Sequence, residues 1–224
     1  MEKPLLLRAC EAGAFGRMYD YDGGAIAEAG FIYLCGAPDE ARLRESIDRW
    51  RNRMFVCRSA EWERALTALF PELKRHRRWQ MRPLSGYVPD GLPDVPDGYA
   101  VRPFGEVEFA AHPFGHGALY RDWPHFSDEG SGAVAVCGEG IVASCSSFLT
   151  FSGSVELDIS TEPQHRRRGL ARACASAMLR DCARRGLTVH WDAQNEASLR
   201  LARQLGFALD GAYDAYCFVS PENP

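Results

Sequence analysis

The stretch "QHRRRGLA", residues 164–171, places three consecutive arginines directly before a glycine. The preceding "VELDIST" alternates apolar and polar residues and predicts a strand, and the alanine-rich segment that follows predicts a helix. A glycine and a small alanine in such a turn allow several backbone N–H groups to converge on one point. Because the first N–H groups of a helix have no partner within it, this pattern is typical of a phosphate-binding turn.

The segment after the turn, "GLARACASAMLRDCARRG", predicts a helix that ends at Gly186. Its small and apolar residues recur at helical spacing and predict one buried face: Leu170, Ala173, Cys174, Ala177, Met178 and Cys182. Further on, "LTVHWDA" predicts a strand, "NEASLRLARQLG" a helix and "AYDAYCFV" a last strand. Upstream, "GAVAVCGEGIVASCSSFL" predicts two strands that form a hairpin around Gly138.

A proline-rich interval divides the chain. Five prolines fall within residues 83–103 and predict an extended linker. Before it, "GFIYLCG", "DEARLRESIDRW", "MFVC" and "SAEWERALTALF" alternate between strand and helix patterns, the last with Ser59 as N-cap. The sequence therefore predicts a smaller N-terminal α/β domain over residues 1–95 and a second domain over 96–224. Strands and helices in both domains place the protein in the α/β class, with a mixed α+β sheet.

Composition argues against several classes of function. The formal net charge is −4, which disfavours a nucleic-acid-binding protein. The basic segment "KRHRR" at 74–78 predicts an exposed basic face, and an RNA contact there is the weakest alternative. The start of the chain has too short an apolar run for a signal peptide, and no stretch is long enough to span a membrane. We expect a cytoplasmic protein without membrane partners.

Cysteines and histidines give no metal motif. None of the eight cysteines forms a CxxC pair, and most lie in apolar strings, which predicts buried, reduced thiols. His112, His116 and His125 with Asp122 raise the question of a metal, but a proline and a glycine between the first two histidines interrupt helical presentation. We predict no metal at these residues.

The motif spacing resembles that of a known superfamily. "TEPQHRRRGLA" resembles the R/Q-x-x-G-x-G/A signature of GNAT acetyltransferases, with Arg166, Gly169 and Ala171 at the motif positions. Downstream, "NEASLRLARQLGF" resembles a second segment of the family at Asn195 and Ser198. The resemblance covers roughly residues 98–220 and implies the GNAT fold for the C-terminal half of the chain. It also implies that His112, His116 and His125 lie on the side of the acceptor substrate. The wording of these segments also resembles a two-domain bacterial branch that includes zwittermicin acetyltransferase-like proteins.

The resemblance implies a binding site for acetyl-CoA. The backbone of Ile159, Ser160 and Thr161 would pair with the pantetheine arm, Asn195 would bond the pantetheine chain, and Ser198 would lie near it. The pyrophosphate would be held by Arg166, Arg167, Arg168, Gly169, Leu170, Ala171 and Arg172.

The catalytic residues are less defined. Many relatives carry a tyrosine that protonates the leaving thiolate, but Ala202 stands at that position here. Tyr213, Tyr216, Tyr120 or water are the alternative proton donors. The missing tyrosine does not exclude catalysis. A thiol has a pKa of about 8.5, so its thiolate is a tolerable leaving group near neutral pH.

The base is predicted from strand alternation and from the resemblance. Glu156, Asp158 and Ser160 share one face of "VELDIST", and His190 and Asp192 share one face of "TVHWDA". His190 also stands where some relatives carry a catalytic glutamate. We expect His190 or Glu156 to be the base, directly or through water, and a purely structural role for His190 remains an open alternative.

These observations favour an N-acetyltransferase that moves an acetyl group from acetyl-CoA to a primary amine by direct attack in a ternary complex. A small-molecule acceptor is preferred on the branch resemblance alone, with the N-terminal domain walling its cleft. A protein N-terminus or lysine is the alternative acceptor. Ala202 favours a different class, an acyl-CoA sensor or scaffold with weak catalysis. The sequence leaves open whether the protein is a monomer or a homodimer.

Overall fold

Two compact units make up the chain. The computed structural model describes three stretches of it, residues 1–87, 89–111 and 119–218. The N-terminal unit contains residues 1–80 together with 211–218, and the C-terminal unit contains residues 81–210. Each unit has its own strands and helices, and the predicted α/β class is confirmed.

The N-terminal unit combines three helices with strands of a mixed sheet. Its elements are α1 (Leu5–Glu11), β1 (Arg17–Tyr21), β2 (Gly24–Ala29), β3 (Phe31–Gly36), α2 (Glu40–Trp50), β4 (Phe55–Cys57), α3 (Ala60–Leu69), β5 (Lys74–Met81) and β12 (Leu209–Cys217). Their strand order is β1-β2-β3-β4-β12-β5. β3 and β4 run parallel, whereas β2 pairs antiparallel with β1 and β3, and β12 antiparallel with β4.

Local signals explain the helices of this unit. Ser59 accepts the N–H of Trp62 at 3.2 Å, which confirms it as the N-cap of α3. α2 turns Leu43, Ile47 and Trp50 inward at helical spacing. These side chains pack in one buried cluster with apolar residues of β2, β3 and β4. Burial of this apolar area stabilises the unit.

The basic segment 74–78 is part of β5 and is only partly exposed. Arg77 is exposed and donates to Asp214 at 3.0 Å. Arg78, by contrast, is buried, and its guanidinium lies 4.8 Å from the ring centroid of Phe31. The prediction of an exposed basic face is therefore wrong at Arg78, because strand alternation turns that side chain inward.

The C-terminal unit carries a five-stranded sheet in the order β10-β9-β8-β7-β6. Its elements are β6 (Tyr99–Pro103), α4 (Glu106–Ala111), α5 (Trp123–Glu129), β7 (Gly132–Cys137), β8 (Gly140–Phe151), β9 (Ser154–Thr161), α6 (Leu170–Arg184), β10 (Thr188–His190), β11 (Asp192–Ala193) and α7 (Glu196–Gln204). The β7–β8 hairpin is confirmed, and only β9 and β10 pair in parallel within this sheet.

Helix α6 packs along this sheet through its predicted face. It contacts all five strands, and the Sγ of Cys145 in β8 lies 3.5 Å from the Sδ of Met178. The predicted inward residues are buried except Ala177, which is half-exposed. Ala175 and Ser176 are buried instead, so the buried face of the helix is rotated towards them.

All eight cysteines are free thiols, as predicted. Five are buried and three are half-buried. Burial raises the pKa of Cys57 and Cys174 to about 12 and that of Cys182 to about 11. These three thiols therefore stay protonated near neutral pH, and the thiolate is the form that acts as nucleophile and metal ligand.

The last strand belongs with the first unit by its contacts. In β12, Ala215 pairs with Val56 and Tyr216 with Phe55. The contacts thus divide the chain after residue 80 and return residues from 211 onward to the first unit. The predicted boundary between residues 95 and 96 stays a prediction about functional domains. Among the described residues, no helix is long and apolar enough to cross a membrane.

Candidate cofactor and active site

The turn between β9 and α6 has a backbone set by two left-handed residues. The chain first makes a single 3-10 turn over Pro163–His165. Arg167 then has φ 65° and Gly169 φ 79°, in the region that favours glycine. α6 begins at Leu170, and no side chain caps its first turn. The N–H groups at this helix start are therefore oriented to receive an anion.

The three consecutive arginines of the turn are not equivalent. The Nε of Arg166 donates to the carbonyl of Thr161 at 3.2 Å. The guanidinium of Arg168 lies 5.8 Å from the ring centroid of Tyr99. Arg167 is exposed at the left-handed position. Two of the three side chains therefore also order the turn, in addition to the charge that they supply.

Beside this turn, β9 has an open edge. β9 and β10 pair only as far as Glu156 and His190. β9 continues to Thr161 with β8 on its other side, and within the described residues no strand pairs with it on the β10 side beyond Glu156. The predicted pantetheine segment 159–161 lies on this edge, where the N–H of Ile159 donates to the Asp158 carboxylate at 2.8 Å. Such an edge offers backbone groups to an extended, amide-containing ligand.

Asn195 and Ser198 are fixed at the start of α7. The side-chain oxygen of Asn195 accepts the N–H of Ser198 at 2.9 Å, which makes Asn195 the N-cap. The hydroxyl of Ser198 accepts from Trp191 Nε1 at 3.0 Å, and the Trp191 ring packs edge-on against Phe207. The cap uses the side-chain oxygen of Asn195 as an acceptor. The implied bond to pantetheine can use the side-chain amide nitrogen of Asn195 as a donor. The two roles are compatible.

Two clefts lie along α6. One of about 460 Å³ is lined by Arg172 and Ser176 of α6, Gln204 of α7 and linker residues that include Tyr87 and Asp90. The other, of about 310 Å³, is lined by residues of the linker, β6 and the second half of α6. The first cleft reaches the first turn of α6 through Arg172, and none of the predicted cofactor residues lines the second.

The structure brings the two predicted bases together. The parallel register sets His190 directly opposite Glu156. Their side chains are 7% and 9% exposed, so this is a buried pair of titratable groups. Asp158 and Ser160 follow Glu156 on the same face of β9. The arrangement provides a polar strand face next to the open edge.

Asp192 does not continue the strand of His190. β10 ends at His190, and β11 begins at Asp192 outside the five-stranded sheet. The carbonyl of the intervening Trp191 accepts the N–H of Met81 at 3.0 Å. The single strand predicted for "LTVHWDA" is therefore interrupted, because Trp191 pairs with a different segment.

Tyr216 lies in the N-terminal unit, whereas Glu156 and His190 lie in the C-terminal unit. It belongs to the buried apolar cluster of its unit, and its hydroxyl donates to the carboxylate of Glu63. Burial and this hydrogen bond raise the pKa of Tyr216 above its ordinary range, so the phenol keeps its proton.

The other positions considered for the general acid are buried or hydrogen-bonded to neighbouring side chains. Ala202 is fully buried in α7. The hydroxyl of Tyr120 lies 2.8 Å from that of Thr150, and burial raises the pKa of Tyr120. The hydroxyl of Tyr213 accepts from Arg78 Nε at 3.2 Å. Nothing in these contacts selects one tyrosine as the proton donor.

The histidines near α5 make local contacts. Asp122 caps α5 by accepting the N–H of His125 at 2.9 Å, and His125 Nε2 lies 3.3 Å from the Glu129 carboxylate. His112 and His116 lie outside the described residues. Across the part of the chain that the structure describes, no group of three or more His, Cys, Asp or Glu side chains could hold a metal ion.

Sequence reasoning overlooked Tyr99. Its hydroxyl lies 2.9 Å from Nδ1 of His165 in the β9–α6 turn, and its ring faces Arg168. Tyr99 precedes His165 by 66 residues and begins β6, so no local pattern links it to the turn.

Comparison with known proteins identifies the family. The family model "GNAT acetyltransferase" matches residues 2–216. A curated relative, "Uncharacterized N-acetyltransferase YdfB" of Bacillus subtilis (strain 168), is 26% identical over 159 residues, which is 67% of this chain and 61% of that protein. The chain thus matches less than two thirds of that relative's length.

Solved structures agree with this match. A GCN5-related N-acetyltransferase-like protein from Streptococcus suis 89/1591 has a TM-score of 0.84 at 26% identity, covering 95% of this chain and 92% of that chain. A GCN5-related N-acetyltransferase from Kribbella flavida shares the fold, with a TM-score of 0.58 at 15% identity and 96% of each chain covered. The predicted fold is confirmed. Since the family model spans nearly the whole sequence, the protein belongs to the GNAT acetyltransferase family.

Proposed function

We propose that this protein transfers an acetyl group from acetyl-CoA to a primary amine of a small molecule, by direct attack in a ternary complex. The observation that carries the proposal is the uncapped start of α6 behind Gly169, next to the open edge of β9. The first offers N–H groups to a pyrophosphate, and the second offers backbone groups to an amide chain. Acetyl-CoA has both parts in one molecule.

The turn residues would hold the cosubstrate at its anionic end. Leu170, Ala171 and Arg172 contribute the N–H groups at the start of α6, and the neighbouring arginines contribute charge. Residues 159–161 on β9 and the amide nitrogen of Asn195 would bind the pantetheine arm, with Ser198 beside it. The cosubstrate supplies an acetyl thioester, which an amine attacks at the carbonyl carbon.

The buried pair of Glu156 and His190 is our proposal for the base. An alkyl ammonium has a pKa of about 10 and must lose a proton before its nitrogen can attack. A buried carboxylate attracts the ammonium form, and a neighbouring imidazole accepts its proton directly or through water. The adjacency of the two groups across the β9–β10 pair supports a shared role.

The leaving thiolate of CoA also needs a proton donor. Tyr216 stays our candidate acid, with Tyr120, Tyr213 and water as alternatives. Its raised pKa keeps it protonated, which an acid requires. Its hydroxyl, however, already donates to Glu63. Thiolate is a tolerable leaving group, so water can complete the reaction.

The alternative is an acyl-CoA sensor or scaffold that binds without efficient turnover. The fully buried Ala202 favours it, because the position at which many relatives carry a catalytic tyrosine presents no polar group here. A protein N-terminus or lysine is the alternative acceptor within the enzyme hypothesis. The preference for a small molecule still rests on the branch resemblance.

One experiment separates these functions. The melting temperature is measured with and without acetyl-CoA, and thiol release is then followed in a panel of amino acids, polyamines, antibiotic-like amines and lysine-containing peptides. We expect stabilisation by acetyl-CoA and acceleration of thiol release by at least one small amine. Stabilisation without acceleration by any amine would favour the sensor, and acceleration only by peptides would favour a protein acceptor. No stabilisation would overturn the proposal.

A further inference from the structure

A tyrosine from the far edge of the sheet contacts the β9–α6 turn. Tyr99 is the first residue of β6, which lies at the opposite end of the five-stranded sheet from the β9–β10 pair. Its hydroxyl lies 2.9 Å from Nδ1 of His165. The two rings meet edge to face, with centroids 5.7 Å apart. The turn is thus contacted by a residue outside the family motif.

The same tyrosine also holds an arginine of the turn. The Arg168 guanidinium lies 5.8 Å from the Tyr99 ring centroid, within the range of a cation–π contact. Arg168 directly precedes Gly169, the N-cap of α6. Tyr99 therefore touches His165 and Arg168, which flank the left-handed Arg167 on both sides.

Glu162 lies near the other ring nitrogen of His165. Its carboxylate lies 3.8 Å from Nε2 of His165 and also accepts from the Gln164 side chain at 3.1 Å. The Tyr99 hydroxyl and Nδ1 of His165 share one hydrogen bond, whose direction depends on the tautomer of the imidazole. The contacts form a chain from Tyr99 through His165 to Glu162.

These contacts matter for binding because the turn is conformationally costly. A non-glycine residue with positive φ persists only where its surroundings hold it, and Arg167 is such a residue. We propose that Tyr99 is a positioning residue for the pyrophosphate of acetyl-CoA, acting through His165 and Arg168 on the shape of the turn. This inference rests on the proposed function, since it assumes that the turn binds that pyrophosphate.

The test compares two probes, CoA and pantetheine, which lacks the pyrophosphate. Tyr99→Phe keeps the ring but removes the hydroxyl, and we expect CoA to bind roughly three- to tenfold more weakly. Tyr99→Ala also removes the ring, and we expect a loss of roughly five- to fiftyfold. Pantetheine binding is followed by saturation-transfer NMR at millimolar concentration. Both variants should bind pantetheine with an affinity within about twofold of that of the wild type. Calorimetry gives the CoA dissociation constants.

Tyr19 provides the matched control. Its hydroxyl contacts Glu28 at 3.2 Å, and the Arg49 guanidinium lies 5.3 Å from its ring centroid, so Tyr19→Phe and Tyr19→Ala remove the same kinds of contact in the N-terminal unit. We expect neither to change CoA affinity. Adding His165→Ala to Tyr99→Phe should cause a smaller further loss than His165→Ala causes in the wild type, because the two changes share one hydrogen bond.

Each result decides between defined alternatives. Equal weakening of CoA and pantetheine would show a general structural role and overturn the inference. Unchanged CoA affinity in Tyr99→Ala, confirmed as folded by circular dichroism, would also overturn it. If the wild type bound neither probe, the proposed function itself would fall, and the inference with it.

Discussion

The β9–α6 and β11–α7 turns of the C-terminal unit begin their helices in opposite ways. Before α6, the N-cap is Gly169 with φ 79°, and no side chain occupies the first-turn N–H groups. Before α7, the N-cap is Asn195 with extended backbone, and its side chain accepts the N–H of Ser198. A helix start whose donors are capped is stable by itself, whereas an uncapped start gains stability from an anion. The difference supports our proposal that the pyrophosphate binds at the first turn and that the second turn has a supporting role.

Before the first of these turns, β9 pairs with β10 only over residues Ser154, Val155 and Glu156. β9 and β10 are joined up to Glu156 and His190 and then follow different partners. The last joined residue pair is therefore the proposed base, and the separated part of β9 is the proposed pantetheine edge. The following predictions test this contrast between a turn that binds and a turn that is capped.

The largest effect is expected at the uncapped turn. Gly169→Glu places a carboxylate at the anion site and forces a side chain into left-handed backbone, so acetyl-CoA affinity should fall by more than about 100-fold. We expect this loss although all three arginines of the turn remain. Calorimetric titration with acetyl-CoA measures it.

Gly186→Glu is the matched control. Gly186 has φ 68° at the other end of the same helix, and a Cβ added there would meet no atom within 4 Å. It carries the same charge change and similar strain, so we expect lower stability but unchanged acetyl-CoA affinity. If Gly169→Glu bound acetyl-CoA as tightly as the wild type does, the turn would be only a basic patch and not a shaped pyrophosphate site.

The next effect is expected where the two strands part. Glu156→Gln and His190→Gln should each retain acetyl-CoA affinity, and the substitution that removes the base should lower kcat by roughly 10²- to 10⁴-fold. Steady-state thiol release with an accepted amine measures this, with exposed Glu139→Gln of the hairpin turn as control. Losses of less than tenfold in both variants across the pH profile would exclude this pair as the base.

The smallest effect is expected at the capped turn. Asn195→Ala removes the cap and should lower the free energy of unfolding by about 1 kcal/mol, measured by urea denaturation. Asn195→Asp keeps a capping oxygen but loses the amide donor, so stability should be retained while acetyl-CoA binds more weakly. Equal acetyl-CoA affinity in Asn195→Asp and the wild type would leave Asn195 with the capping role alone.

Much of the C-terminal unit was predictable because its signals are local. Strand alternation identified β9, and Gly138 marked the hairpin. In the N-terminal unit, the predicted N-cap Ser59 likewise acts on an N–H three residues away. The strand predicted through Trp191 was interrupted, because its partner at Met81 lies far away in the chain. Arg78 was missed as a buried residue for a similar reason, since its partners Phe31 and Tyr213 come from other strands.

The sequence by itself determined the β9–turn–α6 unit, because a left-handed glycine, a run of arginines and a helix start are properties of adjacent residues. Only the tertiary structure decided that His190 stands opposite Glu156, that Tyr216 donates to Glu63, and that Tyr99 supports the turn. Those contacts join residues 34 to 153 positions apart, as from Glu156 to His190 and from Glu63 to Tyr216. Sheet register and packing fix such contacts, and neither is encoded in any short segment.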